Sequence, residues 1–383
     1  MPWKDKTVKE LRKAFIEAAS KENANISALC RDFAISRTTG YKWLNRCRNE
    51  AGDDLSDRSH CPEHIPNKTS RDIEEKILSQ RKTHPKWGAK KILSVHEREG
   101  NTDLPCTKTG NNILKRNGLI DPDESQKHQP CQRFQQEHCN DLWQTDFKGE
   151  FMLGDGTKCF PLDVIDDCSR NCLAIVAKPN TIGITADFEA IFRKYGLPNG
   201  ILSDNGVQFA GFKLGYTKFE RWLMDLDVLP IHGRVKHPQT QGKIERFHRS
   251  MKAELLSGQT FPNLEYAAKA LEEWRIRYNE ERPHEALGMR CPAEIYARSE
   301  REYPEKIMPY EYGGEYPLIK VNSWGYLRFD DVKIYIGETM ENTRLEVRAL
   351  GENVFAVCYR NFKIGEFDAY EQKLISRKIT RVV

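Results

Sequence analysis

The sequence predicts a multidomain chain with two all-α units, a mixed α/β core and a β-rich C-terminal domain. Its 383 residues exceed one ordinary domain and allow about two or three. Apolar residues recur at helical spacing up to about residue 120, whereas strand-like segments alternate with helices from Leu142 onward. After Pro304, short strands separated by turn residues are typical of a small β-barrel-like domain.

Polar stretches that contain proline and glycine divide the chain into these parts. We predict a helix-turn-helix DNA-binding domain in residues 1–50, a linker in 51–69, a second helix-turn-helix domain in 70–120, a linker in 121–140, the α/β core in 141–303 and the β-rich domain in 304–383.

The charge distribution favours a nucleic-acid partner for the N-terminal third. The net charge is only +4, but the basic excess lies in the first third and the remainder is slightly acidic. No apolar run approaches the roughly 20 residues that span a bilayer, and no signal-peptide core follows Met1. We therefore expect a cytoplasmic protein without a membrane partner, whose eleven cysteines are reduced thiols.

The first fifty residues predict three helices, of which the last two form a helix-turn-helix. An apolar stripe marks the first helix, a second helix runs from Ile26 to Phe33, and Ser36 caps a third that ends near Arg48. The stripe consists of Val8, Leu11, Phe15 and Ala18. Tyr41 and Leu44 are predicted to face inward. The outward residues of the third helix are the candidate DNA contacts: Arg37, Thr38, Lys42 and Arg46.

A second unit has the same organisation, with a last helix from Thr107 to Asn117 that stops at Gly118. Lys108 and Lys115 would share its exposed face and are further candidate DNA contacts. In both units the alternative is a plain helical scaffold whose outward charges only contact water.

Three acidic residues of the core stand out by their position. Asp146 lies inside a strand, where aspartate is unfavourable, and Asp204 lies at the C-terminal end of another, where open α/β sheets bind ligands. Glu245 lies one turn into a helix that begins near Thr240, beside its apolar stripe, and Lys252 lies almost above it. Taken alone, Asp204 could simply belong to a turn and Glu245 to the surface of a helix, so only the three acids together point to a site.

Three carboxylates without a suitable His/Cys set favour two Mg²⁺ or Mn²⁺ ions over zinc, in a site for phosphodiester chemistry. Two pairs with zinc-ligand spacing, Cys61 with His64 and His128 with Cys131, lie in distant linkers, and we do not expect them to bind zinc.

Four blocks resemble the catalytic core of bacterial insertion-sequence transposases of the DDE class, related to the IS-three type. They are LWQTDFKGEF, LSDNGVQF, HPQTQGKIERFHRSMKAELL and YNEERPHEALGMRCPAEIY, and they occur in the family's order. The cores of that class are similar to those of retroviral integrases and ribonuclease H. The resemblance therefore implies a ribonuclease-H-like α/β catalytic core in residues 141–303. Two N-terminal helix-turn-helix domains and a β-rich C-terminal domain also occur in the family.

The resemblance implies that Asp146, Asp204 and Glu245 are the catalytic and metal-binding triad and that Lys252 is the basic residue that follows it. Between Asp204 and Glu245 lie 40 residues, a few more than is common in the family. Lys243 and Arg249 are candidate phosphate contacts, and His237 and Gln241 are candidates for DNA contact or loop positioning.

The implied activity is nicking of the 3′ ends of an insertion sequence, at its terminal inverted repeats, and joining of these ends to target DNA. The implied partners are double-stranded DNA and further copies of the chain, as a dimer or higher oligomer on nucleoid DNA. Two alternatives stay open. One is a non-catalytic regulator derived from such an enzyme, and the other is a nuclease of the ribonuclease H type.

Overall fold

A computed structural model describes residues 7–49, 55–57, 68–121, 135–211, 215–233 and 242–382. The pairs with zinc-ligand spacing, His237, Gln241 and most of both predicted linkers lie outside these residues. The chain forms two compact units, residues 1–68 and residues 69–383. None of the described helices is long and apolar enough to cross a membrane.

The first unit contains three helices close to the predicted bounds: α1 (Val8–Ala19), α2 (Ile26–Asp32) and α3 (Arg37–Asn49). Thr7 and Glu10 form a capping box at the start of α1. The Ser36 hydroxyl accepts the backbone N–H of Thr39 at 3.1 Å, which confirms the predicted cap of α3.

The core of the first unit differs from the prediction in two places. Tyr41 is 50% exposed, so the prediction that it faces inward is wrong, and the neighbouring Trp43 is buried instead. Of the large side chains in the apolar stripe of α1, only Phe15 is buried, whereas Val8 and Leu11 are exposed. The buried residues of α3 include Gly40. Because glycine interrupts the apolar pattern, the pattern alone does not identify the inward face of this helix.

We expect Gly40→Ala to destabilise the first unit by roughly 1–3 kcal/mol, as overpacking of a core does. A Cβ atom at position 40 would lie 2.6 Å from Cys30 Sγ and 2.9 Å from Phe15 Cζ. Thermal unfolding measures the effect, and Tyr41→Ala on the same helix is the control, with little change expected because Tyr41 is exposed. Equal losses for the two variants would contradict this packing.

The second unit begins with three further helices: α4 (Arg71–Thr83), α5 (Ala89–Arg98) and α6 (Thr107–Arg116). Their apolar faces pack together around residues that are at most 1% exposed, namely Ile77, Ile92, Ile113 and Leu114. Two ion pairs join α5 to a later part of the chain: Lys90 with Glu285 at 2.7 Å and Arg98 with Glu294 at 2.8 Å.

A mixed sheet with helices on both faces follows. Its elements in chain order are β1 (Trp143–Phe147), β2 (Phe151–Met152), β3 (Lys158–Asp166), β4 (Cys172–Lys178), α7 (Ile184–Tyr195), β5 (Gly200–Ser203), α8 (Lys218–Asp225), β6 (Leu229–His232), α9 (Gly242–Met251), a π-helical turn (Lys252–Leu256) and α10 (Leu264–Glu280). The strands pair in the order β4-β3-β1-β5-β6, with β2 beside the start of β3. The contacts among β1, β3 and β4 are antiparallel, and those among β1, β5 and β6 are parallel.

Different helices pack against the two faces of this sheet. Trp143, Leu162 and Val164 pack with α7 and α8, whereas Ile165 and Ile175 pack with α9 and α10. Because side chains alternate along a strand, Gln144 and Asp146 of β1 point toward the α9 face. The predicted apolar stripe of α9 and the following turn is confirmed, since its members are 5% exposed or less: Ile244, Phe247, Met251 and Leu255.

The C-terminal region is β-rich, as predicted, but its described strands do not close into a barrel. They are β7 (Leu318–Lys320), β8 (Tyr326–Phe329), β9 (Val332–Tyr335), β10 (Arg344–Ala349), β11 (Val354–Tyr359), β12 (Phe362–Asp368), β13 (Lys373–Ser376) and β14 (Thr380–Arg381). Six of them form one sheet, and β8 and β9 form a separate hairpin. The sheet packs against the core, where Met224 of α8 is buried among its apolar residues and the Tyr359 hydroxyl donates to Asp225 at 2.5 Å.

Candidate active site

Asp146 of β1 lies near Asp204, which directly follows the parallel neighbouring strand β5. In the β1–β5 register, Trp143 pairs with Ile201 and Gln144 with Leu202, and the same register continued places Asp146 next to Asp204. Asp204 Oδ1 accepts the backbone N–H of Gly206 at 2.9 Å, which shapes the turn after β5. The sheet thus brings together two acids that are far apart in the sequence.

This neighbourhood affects the ionisation of Asp146. Burial raises the pKa of Asp146 to about 6, the nearby Asp204 carboxylate adds to this increase, and His248 opposes it. Two adjacent carboxylates, one of them held in a partly dehydrated position, are ligands that fit a hard divalent cation such as Mg²⁺ or Mn²⁺. Such a cation would favour the ionised form of both.

Glu245 lies in the first turn of α9 and is exposed. No group of three or more His, Cys, Asp or Glu side chains is arranged to hold a metal ion within the described ranges. The structure therefore joins two of the three predicted acids, and the place of Glu245 beside them stays a prediction.

The start of α9 is fixed to the sheet by a buried carboxylate, that of Asp167. Asp167 accepts hydrogen bonds from the Lys243 ammonium, from Gln144 Nε2 at 2.7 Å and from the backbone N–H of Gln136 at 2.8 Å. Gln144 Oε1 in turn accepts the backbone N–H of Ile244 at 3.3 Å. These contacts tie the helix that bears Glu245 to the strand that bears Asp146.

The environment of Lys243 therefore differs from the predicted one, which was a contact with a DNA phosphate. Its side chain is only 13% exposed, and burial lowers the pKa of Lys243 to about 8 while the bond to Asp167 opposes this change. Because its ammonium contacts a buried carboxylate, the structure favours an anchoring role for Lys243 over the predicted contact with phosphate.

A second acid lies opposite Asp146. Asp163 of β3 faces Asp146 in the antiparallel β1–β3 register and is fully buried. His248 of α9 lies between them, with Nε2 at 2.7 Å from Asp163 Oδ2 and Nδ1 at 3.9 Å from Asp146 Oδ2. Burial raises the pKa of the Asp163 carboxyl, and His248 opposes this change.

Asp163, Asp166 and Asp167 are not among the acids predicted from the sequence, although a signal was present. All three lie within the segment PLDVIDDCS at or near the end of a predicted strand, and aspartate inside a strand is as unfavourable there as at Asp146. Asp166 has a local structural role, because its carboxylate accepts the Ser169 hydroxyl at 2.7 Å and the backbone N–H of Asn140 at 2.8 Å.

A polar network supports the strand end that bears Asp204. The ring of His232 on β6 contacts Ser203 Oγ at 3.2 Å through Nδ1 and Glu220 Oε1 at 2.8 Å through Nε2. Glu220 also accepts the Thr217 backbone N–H in the capping box of α8. Ser203 is 3% exposed, so this network connects β5, β6 and α8 and does not present a nucleophile to solvent.

The remaining candidate DNA contacts lie on helical surfaces. The exposed ones are Arg37, Thr38, Lys42, Lys108, Lys115, Arg249 and Lys252. Arg46 is half-buried, donates to the backbone carbonyl of Ser56 at 2.8 Å and lies 5.2 Å from the ring of Trp43. Exposure is compatible with DNA binding but does not test it, and these contacts stay predictions.

Comparison with known families agrees with this geometry. Residues 136–238 and residues 226–292 each match a family model of the integrase core domain. Residues 6–83 match the leucine-zipper of insertion element IS481. Within that last range, the described residues form the separate helices α1 to α4.

Related proteins come from bacterial insertion elements. An uncharacterized 31.7 kDa protein of insertion element IS407 from Burkholderia multivorans is 29% identical over 42% of this chain and 56% of its own length. The transposase InsD of insertion element IS2 from Escherichia coli is 26% identical over 55% of this chain and 73% of its own length. The chain spans about half the length of the insertion-element proteins that it matches first.

Among solved structures, the magnesium complex of the HTLV-2 integrase catalytic core domain is 18% identical, with a TM-score of 0.31. The match covers 41% of this chain and 97% of that domain.

The strand order and the two family matches together define a protein with an integrase-like core. Its relatives among known proteins include proteins of bacterial insertion elements, one of them a transposase.

Proposed function

We propose that this protein is a DDE transposase, which binds the terminal inverted repeats of its insertion sequence, nicks the 3′ ends and joins them to target DNA. The observation that carries the proposal is the pair of neighbouring carboxylates in an integrase-like core, Asp146 on β1 and Asp204 directly after the parallel strand β5. Anchoring of α9 to the same sheet through Asp167 supports a site that Glu245 completes.

In the proposed site Asp146 and Asp204 hold one divalent ion and, with Glu245, a second. Bound Mg²⁺ or Mn²⁺ would lower the pKa of water and stabilise negative charge on the leaving oxygen. Glu245 is exposed in the first turn of α9, and in this proposal it joins the other two acids when metal and DNA bind.

Both chemical steps exchange one P–O bond for another. In the first, a water oxygen attacks the phosphorus at the element end and the bond to the 3′ oxygen breaks, which leaves a 3′-hydroxyl. In the second, this hydroxyl oxygen attacks a target phosphodiester, and the 3′ oxygen of the target strand leaves. No side chain becomes covalently attached to DNA, so a serine or tyrosine nucleophile is not needed.

The two helical units would read the terminal repeats as helix-turn-helix domains. α3 and α6 are the proposed recognition helices, because Lys42 of α3 and both Lys108 and Lys115 of α6 are exposed. Contacts to phosphates would make the affinity depend on salt concentration. Arg249 and Lys252 are the proposed phosphate contacts near the catalytic acids.

Joining two element ends requires more than one copy of the chain, so the proposed active form is a dimer or higher oligomer on DNA. The insertion-element relatives are bacterial, which supports action in the cytoplasm on nucleoid DNA.

The test is a strand-transfer assay with labelled duplexes taken from both flanks of the coding region. We expect the wild-type protein with Mg²⁺ to join these ends to a target plasmid and to leave scrambled duplexes unjoined. Cleavage of scrambled DNA or of RNA–DNA hybrids without joining would indicate a nuclease instead. Specific binding of the ends without any cleavage would indicate a regulator.

A further inference from the structure

A buried histidine lies between two facing carboxylates of the site. His248 is 9% exposed and Asp163 is fully buried. Their 2.7 Å contact has the distance of an ion pair but not the angles of a hydrogen bond, and neither Asp163 oxygen has a hydrogen-bond partner within the described residues. Because an uncompensated buried carboxylate is costly, His248 is the group that makes the position of Asp163 tolerable.

The register of the sheet explains why this histidine matters for Asp146. Directly opposite residues of an antiparallel pair point to the same face, so Asp146 and Asp163 present two carboxyl groups to each other. The other edge of the His248 ring, Nδ1, lies 3.9 Å from Asp146 Oδ2. The ring thus separates the two acids and occupies the side of Asp146 that faces Asp163.

The packing of α9 holds the ring in this place. His248 directly follows Phe247, which is 1% exposed and stacks edge-on with Trp274 and Tyr278 of α10. Glu245 precedes His248 by three residues and therefore lies on the neighbouring surface of the same helix. The packing of Phe247 therefore fixes the part of α9 that carries both His248 and Glu245.

We propose that His248, anchored by Asp163, is a positioning residue that orients the Asp146 carboxylate for divalent-metal binding. The inference rests on the proposed function, since it assumes that Asp146 is a metal ligand. Groups that orient a metal ligand affect metal affinity by about 10–100-fold when they are removed.

Two substitutions separate positioning from a purely structural role. His248→Gln places an amide nitrogen near the position of Nε2, so it keeps a donor toward Asp163 but loses the ring edge that faces Asp146. His248→Ala removes both contacts and leaves Asp163 buried without its partner, so it also lowers stability. The glutamine variant therefore keeps the test valid if the alanine variant does not fold.

The measurement is the affinity of the full-length protein for Mn²⁺ by titration calorimetry, together with the melting temperature without metal. We expect His248→Gln to melt near the wild-type temperature and to bind Mn²⁺ at least about tenfold more weakly. His96→Ala is the matched control, because His96 is also buried and contacts a carboxylate, Glu99, at 2.9 Å within helix α5, which contributes none of the three proposed metal ligands. This control should bind Mn²⁺ as the wild type does.

Each other outcome overturns the inference in a distinguishable way. If His248→Gln and any folded His248→Ala bind Mn²⁺ like the wild type, His248 is only structural, and the proposed metal site stands. If the wild type and Asp146→Asn bind Mn²⁺ equally, or neither binds it, Asp146 is not a metal ligand and the proposed function fails together with the inference.

Discussion

Asp204→Asn is expected to lower strand transfer by roughly 1,000-fold while leaving binding of the element ends unchanged. Loss of a carboxylate ligand removes several kcal/mol of stabilisation of the developing charge, and about 4 kcal/mol corresponds to this factor. The fold should survive, because an asparagine oxygen can still accept the Gly206 backbone N–H that Asp204 now accepts. The joined product and the affinity for end duplexes are measured on the same preparation.

Asp155→Asn is the matched control for this prediction. Asp155 Oδ1 accepts the backbone N–H of Thr157 at 2.9 Å, the same local turn contact, but it lies in a hairpin away from the site. We expect full activity from this variant. Normal joining by Asp204→Asn, or an equal loss in Asp155→Asn, would refute the assignment.

Asp146→Asn should lose strand transfer as well, but with a gain in stability. The pKa of Asp146 in the folded protein, about 6, is above its ordinary value of 3.8, so the folded state binds the proton more tightly than the unfolded state. Stability therefore falls as the pH rises from about 4 to 6, and this loss persists at neutral pH. Asparagine removes that loss, so the variant should melt at or above the wild-type temperature at pH 7.

The second large effect is expected for Asp167→Ala, which should reduce the free energy of unfolding by about 3–5 kcal/mol. Asp167 is fully buried and pairs with the mostly buried Lys243, and removal of one partner leaves the other charge buried and uncompensated. The substitution also removes the acceptor for Gln144 Nε2. Denaturant unfolding measures the loss, and strand transfer should fall with it because α9 loses its attachment to β1.

Two comparisons make this prediction specific. Asp187→Ala breaks the pair of Asp187 with Lys178 on the other side of the sheet, where the carboxylate is 18% exposed, and should cost clearly less. Adding Lys243→Met to Asp167→Ala should recover part of the loss, because a buried ion pair can often be replaced by apolar side chains. If Asp167→Ala lowers the free energy of unfolding no more than Asp187→Ala does, the contact of Asp167 with Lys243 does not anchor α9.

The sequence by itself determined the order of the core elements and placed two of the predicted acids in a strand or at its end, Asp146 in β1 and Asp204 directly after β5. Helix α7 runs from Ile184 to Tyr195 between two strands, β5 ends at Ser203, one residue before the end predicted at Asp204, and the apolar stripe of α9 is buried. The helices and strands follow from the local periodicity of apolar residues, and the candidate acids follow from their unusual positions inside a strand or at its end. Both signals are visible along a single segment of the sequence.

Only the tertiary structure decided which polar groups meet. It placed Asp163 opposite Asp146, put His248 between them and paired Lys243 with Asp167, although a basic residue near the site had suggested a contact with DNA. It also showed an open sheet and a hairpin where strand spacing had suggested a barrel. The physical reason is that strand register and helix docking bring together residues far apart in the chain, and the spacing of residues along one segment does not specify the partner segment.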